Sequence, residues 1–373
     1  DLHKAIRRQR QMCIRDRYRR INVESKSTKI LIAIVLILVI ATGVLFAVKI
    51  IREKNNGSDE VISLGTEKLG KGKEEENKEE KSITTFSGTD RPVAVMIDNH
   101  KSAMPQSGLN DAYIVYEMIV EGGETRLMAL FKGKQLDKIG PIRSARHYFL
   151  DYALENDAIY VHYGWSPQAE NDITKLGVNN VNGLVQSTSD FWRVKDKSAP
   201  HNAVSATKNI LNIAKAKGYS LESDKKSVLN YVTEDVNLDG SQVANKFSIK
   251  YSDYNTVSYT YNSETKKYLR YSRNTKQVDW DTKEDVYAKN IIITFVRNST
   301  LNDGENKGRQ TLDNVGTRDG YYITNGKAIK IKCEKKSRKE QTVYKDMQGN
   351  EIKVNDGNTF IQICPIDAKV SFE

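Results

Sequence analysis

Several absences bound this chain of 373 residues before any motif is read. Cysteine occurs three times, at positions 13, 333 and 364. None lies near the end of the long apolar run described below, which excludes a lipid-anchored cysteine there. Histidine occurs five times, with no HxxxH or HExxH spacing, so no metal centre is expected and no cofactor is called for. The segment Gly164-Trp-Ser-Pro-Gln168 lacks the second glycine of a nucleophile elbow, and Ser166 reads better as a helix cap. No internal repeat is visible. Basic surplus is also missing where it would matter: of the formal charge of +10, the segment Asp1 to Lys29 carries most, with ten Lys and Arg against three acidic residues. A nearly balanced remainder argues against a nucleic-acid partner.

What is present begins with a membrane signal. Ile30 to Val48 are 19 residues without a charge, rich in Ile, Leu and Val. As a helix they span about 28 Å, close to a bilayer's hydrocarbon thickness of roughly 30 Å. The basic cluster before them holds that side in the cytoplasm, so residues 1–29 are expected inside the cell and the bulk of the chain outside, behind a single-pass anchor at 30–51. Ala41-Thr-Gly43 offers small residues for a signal peptidase, which leaves cleavage open. The chain opens on Asp, and its true start is left open too. Residues 52–90 are polar and mixed in charge, the composition of a disordered linker.

The expected fold class is α+β: a mixed sheet with flanking helices over 91–224, then a mostly β ectodomain over 225–373. Val93 to Ile97 is a continuous apolar run of strand length. Two further strands, Ala112 to Val120 and Thr125 to Phe131, are joined by Glu121-Gly-Gly-Glu124, whose glycines suit a hairpin turn. After Gly140-Pro141 a helix is predicted, with Ser144 as its N-cap and Tyr148, Phe149 and Tyr152 inward. A strand at Ala158 to Val161 follows, then a helix started by Ser166 and Pro167 and closed by Gly177. Another helix is predicted over Ser205 to Lys217. Beyond about Ser223 the runs are short, alternating and separated by Asp-Gly and Asn-Gly pairs, as in an all-β region. Cys333 and Cys364 stand in that region, where a disulfide and two free buried thiols are equally consistent with the sequence.

Several motifs, in order, resemble one family. They are Arg91-Pro-Val-Ala-Val-Met-Ile-Asp-Asn99, Pro105-Gln-Ser-Gly-Leu109, Ile114-Val-Tyr-Glu117, Glu121-Gly-Gly123, Ile139-Gly-Pro-Ile-Arg-Ser-Ala-Arg146, Ser166-Pro-Gln168 and Ala199-Pro-His-Asn202. Together with Ala288-Lys-Asn290, Gly357-Asn-Thr359 and Pro365 to Val370, they are similar to the YerB-type envelope proteins, the family called DUF3048. The resemblance covers roughly residues 91 to 373. It implies an extracytoplasmic protein of Gram-positive-type bacteria, many members being lipoproteins, with no established biochemical activity.

Candidate chemistry gathers around Gly140 to His147. Arg143, Ser144 and Arg146 near a helix start are the parts of an anion cradle, and structural pairing with Asp98, Glu117 or Glu121 is the competing reading. His162 and His201 follow a strand and a proline, and with Asp98 and Glu121 they are candidates for acid–base work. The ligand-binding candidates are therefore Asp98, Glu117, Glu121, Arg143, Ser144, Arg146, His162 and His201. Two functional readings follow. The first is a membrane-tethered binding or scaffold protein of the cell envelope whose partner is a cell-wall polymer or a wall-synthesis protein. The second is an envelope hydrolase or transferase acting on glycan or peptide. No catalytic constellation has diagnostic spacing, so the first is preferred.

Overall fold

A computed structural model describes residues 82–373. The basic start, the apolar span and the tether up to residue 81 lie outside the described residues. The chain divides into two units, Asp1–Asn77 and Lys78–Glu373, and every described residue belongs to the second. Among the described residues no helix is long and apolar enough to cross a membrane.

The apolar run after Pro92 cannot leave either face in water, and it becomes β1 (Val93–Asp98), buried at every position. Burial of each such large aliphatic side chain stabilises by about 1.5–3 kcal/mol. β2 (Ile114–Ile119) and β3 (Thr125–Phe131) form the expected hairpin, and both are equally buried. Gly122 and Gly123 close it at φ of 68° and 73°, a region that side chains with a Cβ rarely enter.

α1 (Leu150–Glu155) is shorter than the sequence suggests and is preceded by one 3₁₀ turn, His147–Phe149. It leads into β4 (Ile159–His162). Ser166 caps α2 (Pro167–Leu176) by accepting from the Ala169 amide, and Gly177 ends it in the left-handed region, both as expected. β5 (Asn180–Asn182) and α3 (Thr207–Ala216) complete this half. From here on the described chain is all strand and turn. The main strands are β6 (Lys246–Lys250), β7 (Thr256–Asn262), β8 (Lys267–Ser272), β9 (Asn290–Val296), β10 (Gly316–Thr324), β11 (Lys327–Lys335), β12 (Val343–Lys345), β13 (Thr359–Pro365) and β14 (Lys369–Phe372).

One large mixed sheet crosses both halves of the sequence, in the order β12-β11-β10-β9-β13-β2-β3-β1-β4-β5. Its seam is the parallel pairing of β13 with β2, Ile114 opposite Thr359 through Met118 opposite Ile363. A second sheet, with β8-β7-β6-β14 in that order, packs its aromatic side toward the first, and Tyr259 meets Phe360 at 6.3 Å between ring centroids. The α+β class stands, with few helices.

Cys333 and Cys364 are free and buried. β11 and β13, which carry them, have β10 and β9 between them. Three inter-strand steps amount to roughly 14 Å, too far for a disulfide.

Candidate functional site

β1 and β2 both run antiparallel to β3 and so run the same way, and β4 and β5 join β1 in parallel. In open sheets of this kind ligands bind outside the carboxyl ends of the parallel strands. Asp98 and His162 end β1 and β4, and Glu121 follows β2. Arg126 stands near the start of β3, which returns along the same edge opposite Asp98.

Asp98 is the hub of one group. It is 3% exposed, yet its Oδ2 lies 2.7 Å from His201 Nδ1 and 3.2 Å from Arg143 Nε. The second contact is an ion pair without hydrogen-bond alignment, since Arg143 Nε is a buried donor with no aligned acceptor. Asp98 Oδ1 accepts from the His100 amide at 3.0 Å. His100 stacks on His201 with ring centroids 4.4 Å apart. Burial, and then the neighbouring His201, push His100 below its ordinary value. His201 Nδ1 is held by Asp98, and Nε2 has no hydrogen-bond partner among the described residues.

Glu121 and Arg146 form a second group. Arg146 Nε meets Oε1 at 2.6 Å and Nη2 meets Oε2 at 2.9 Å, the two-pronged fit of guanidinium to carboxylate. Arg146 Nη1 donates to the Ala145 carbonyl at 2.8 Å. Burial works to raise the Glu121 carboxyl, but Arg146 outweighs it and holds the group below its usual range.

The helix-start cradle expected of Arg143, Ser144 and Arg146 is not formed. Ile142 bridges to Ile97 and Ala145 to Trp165, so the chain stays extended through these residues. Arg146, not Ser144, stands at the N-cap position, and it makes no side-chain cap. The Ser144 hydroxyl donates to the Tyr163 carbonyl at 3.1 Å.

Glu117 and His162 stand apart from both groups. Glu117 faces the second sheet, where its Oε2 pairs with Arg270 Nη2 of β8 at 2.6 Å, both side chains fully buried. Its Oε1 accepts from Thr125 Oγ1 and Asn99 Nδ2. His162 is fully buried, and Nδ1 lies 2.8 Å from the Gly164 carbonyl oxygen while Nε2 lies 3.1 Å from Asn180 Oδ1. Burial lowers His162 to about 4, so it is neutral at physiological pH.

Three residues at this edge were not among the sequence candidates. Arg273, beyond β8, pairs with Glu124 and donates from Nη1 to the Asn99 carbonyl at 3.1 Å, so the β-rich half also reaches the site. Trp165 is 37% exposed beside His162. Arg126 is 5% exposed, and its Nη1 donates to the Ser144 carbonyl at 2.6 Å. Burial, with Arg146 and Arg143 adding to it, lowers Arg126 to about 10. Its signal in the sequence is a cation in the otherwise apolar run Thr125 to Phe131.

Residues 79–220 match the N-terminal domain, and 247–361 the C-terminal domain, of a family described as protein of unknown function (DUF3048). A Bacillus subtilis (strain 168) protein named "Putative lipoprotein YerB" is 32% identical over 289 residues, 74% of this chain and 81% of that protein. The crystal structure of YerB protein from Bacillus subtilis aligns with a TM-score of 0.68 at 31% identity, covering 76% of this chain and 94% of that one. Two domain matches in order and a relative alike over most of its length lead to one statement: the chain belongs to the DUF3048 family of YerB-like proteins.

Proposed function

We propose that this protein is a membrane-tethered, extracytoplasmic binding or scaffold protein of the bacterial cell envelope that engages a cell-wall polymer or a wall-synthesis partner. The relative named as a lipoprotein supports the location, and the uncharged span Ile30 to Val48 supplies a tether. One observation favours binding over turnover. At the carboxyl edge of the parallel strands each candidate carboxylate is engaged by an arginine of the protein itself, Asp98 by Arg143 and Glu121 by Arg146, and Asp98 also holds His201. Carboxylates held this way are poor proton donors or acceptors, whereas the cationic surface around them suits recognition.

A second reading, hydrolysis or transfer on glycan or peptide, is favoured by His201. Asp98 fixes its Nδ1 and leaves Nε2 as the free nitrogen, the arrangement of an oriented general base. One experiment addresses both. The full chain in mild detergent is incubated with purified wall fragments, and co-sedimentation and soluble product are measured together. Binding without product, unchanged in His201→Ala, is the expected result. Product release that disappears in His201→Ala would replace the binding reading with the enzymatic one.

A further inference from the structure

Arg126 is a buried cation without a direct ion pair, and Glu121 and Asp98 act on it only from beyond contact. No carboxylate of the described residues lies within ion-pairing distance of it, because Asp98 is taken by His201 and Arg143 and Glu121 by Arg146. Its one hydrogen bond goes to a neutral carbonyl, that of Ser144. Nε and Nη2 have no partner, and neither is among the donors sealed inside the protein. Three arginines, 126, 143 and 146, therefore face two carboxylates, and the positive charge left over sits on the most buried of the three. Holding such a charge out of water is unfavourable unless something neutralises it. A forked guanidinium with two unpartnered donors fits a carboxylate or phosphate in geometry as well as charge.

An independent feature lies one residue along the chain from the carbonyl that Arg126 binds. Ala145 pairs with Trp165 in a bridge, which carries the partly exposed indole to the same loop. Leu184 is 59% exposed, and its Cδ2 lies 3.8 Å from where a Cβ on Gly164 would stand, so apolar surface continues beside the indole. A partly exposed indole on the loop that Arg126 binds suits a ligand with a ring and an oxyanion.

We infer that Arg126 is the seat for the carboxylate or phosphate of an acidic saccharide whose ring rests against Trp165. This rests on the binding reading above and names the chemistry of its ligand. Arg143 and Arg146 act as positioning residues: they engage Asp98 and Glu121 and so keep those carboxylates away from the seat.

The test titrates the full chain in mild detergent with inorganic phosphate, glucuronate, glucose 6-phosphate and glucose, followed by calorimetry. The wild type is expected to bind the three anions and not glucose. Arg126→Gln is expected to weaken all three by about 10- to 100-fold, the range for losing a charge-assisted contact. Trp165→Ala is expected to weaken the two sugar anions several-fold while leaving phosphate within about twofold. Should Arg126→Gln fail to fold by circular dichroism, Arg126→Lys keeps the charge and loses the fork, and weaker binding is again expected. Equal anion binding by wild type and Arg126 variants, no anion binding at all, or glucose binding as strongly as glucuronate would each overturn the inference. Sugar anions unaffected by Trp165→Ala would overturn its saccharide part. Co-sedimentation with wall fragments separates the two levels: wall binding without any anion binding sinks this seat alone, and anion binding without wall binding sinks the wall reading alone.

Discussion

Two buried arginines, Arg270 and Arg126, sit in the same unit in opposite circumstances. Arg270 is fully buried between the sheets, 2.6 Å from the Glu117 carboxylate, and burial's tendency to discharge it is overcome by that partner. Its Nε and Nη1 are sealed without acceptors. Arg126 is nearly as buried, has no carboxylate within ion-pairing distance, and has spare donors that are not fully sealed. The first arrangement tolerates unmet donors because a full counter-charge is in contact, and it ties β2 to β8. The second feels Glu121 and Asp98 only from beyond contact, and its one bond goes to the Ser144 carbonyl. Burial alone does not make an arginine structural, and the accessibility of the donors left over separates a strut from a seat.

The comparison is broken most forcefully at Glu117. Glu117→Gln leaves Arg270 charged and uncompensated, and chemical denaturation should show a loss of about 3–5 kcal/mol. A loss below about 1 kcal/mol would mean that the pair does not hold the sheets together.

His162 supplies a third buried group of potential positive charge, kept neutral instead of paired. Its folded value of about 4 lies below its ordinary 6.5, so the unfolded chain takes up the proton first. The contribution of neutral His162 is fully present above about pH 6.5 and is lost as pH falls toward 4, with a ceiling of about 3 kcal/mol. Denaturation followed from pH 7 to 4 should show this decline in the wild type and a shallower one in His162→Asn. Identical slopes would contradict it.

A smaller effect, about 1 kcal/mol, is expected from Ser166→Ala, which removes the α2 cap and touches neither arginine. It calibrates how much a local hydrogen bond matters here. Arg126→Gln should change stability least, by less than about 1 kcal/mol or with a gain, because the lost bond to Ser144 is offset by removal of an unpaired buried charge. A loss as large as that of Glu117→Gln would make Arg126 a strut after all.

The legible parts of the fold were those coded locally. The apolar run of β1, the glycine hairpin after β2 and the Ser166-Pro167 helix start each carry their signal within a few residues, and each is found where the sequence puts it. The seam between β2 and β13 was not legible, because Ile114 and Thr359 find each other across most of the folded sequence and periodicity says nothing about distant partners. The helix expected from Ser144 starts later because Ile142 and Ala145 are drawn into bridges with Ile97 and Trp165, tertiary contacts that override a local capping preference. At the site, the sequence brought forward Asp98, Arg143 and His201, which do meet, and Glu121 and Arg146, which pair. It also grouped Glu117 and His162 with them, since a strand's alternation of faces decides which side a carboxylate serves, and Glu117 serves the side of the second sheet. Arg126 is not legible as a site residue because one charge in an apolar strand does not reveal whether it has a partner.

The central claim is that Arg126 is an open seat for an oxyanion, and crystals of the protein grown with and without inorganic phosphate test it most directly. Phosphate oxygens within about 3 Å of Arg126 Nη2, with Asp98 and Glu121 still held by Arg143, His201 and Arg146, are the expected result. An Arg126 guanidinium paired with Asp98 or Glu121 in both crystals, with phosphate bound elsewhere or not at all, would contradict it.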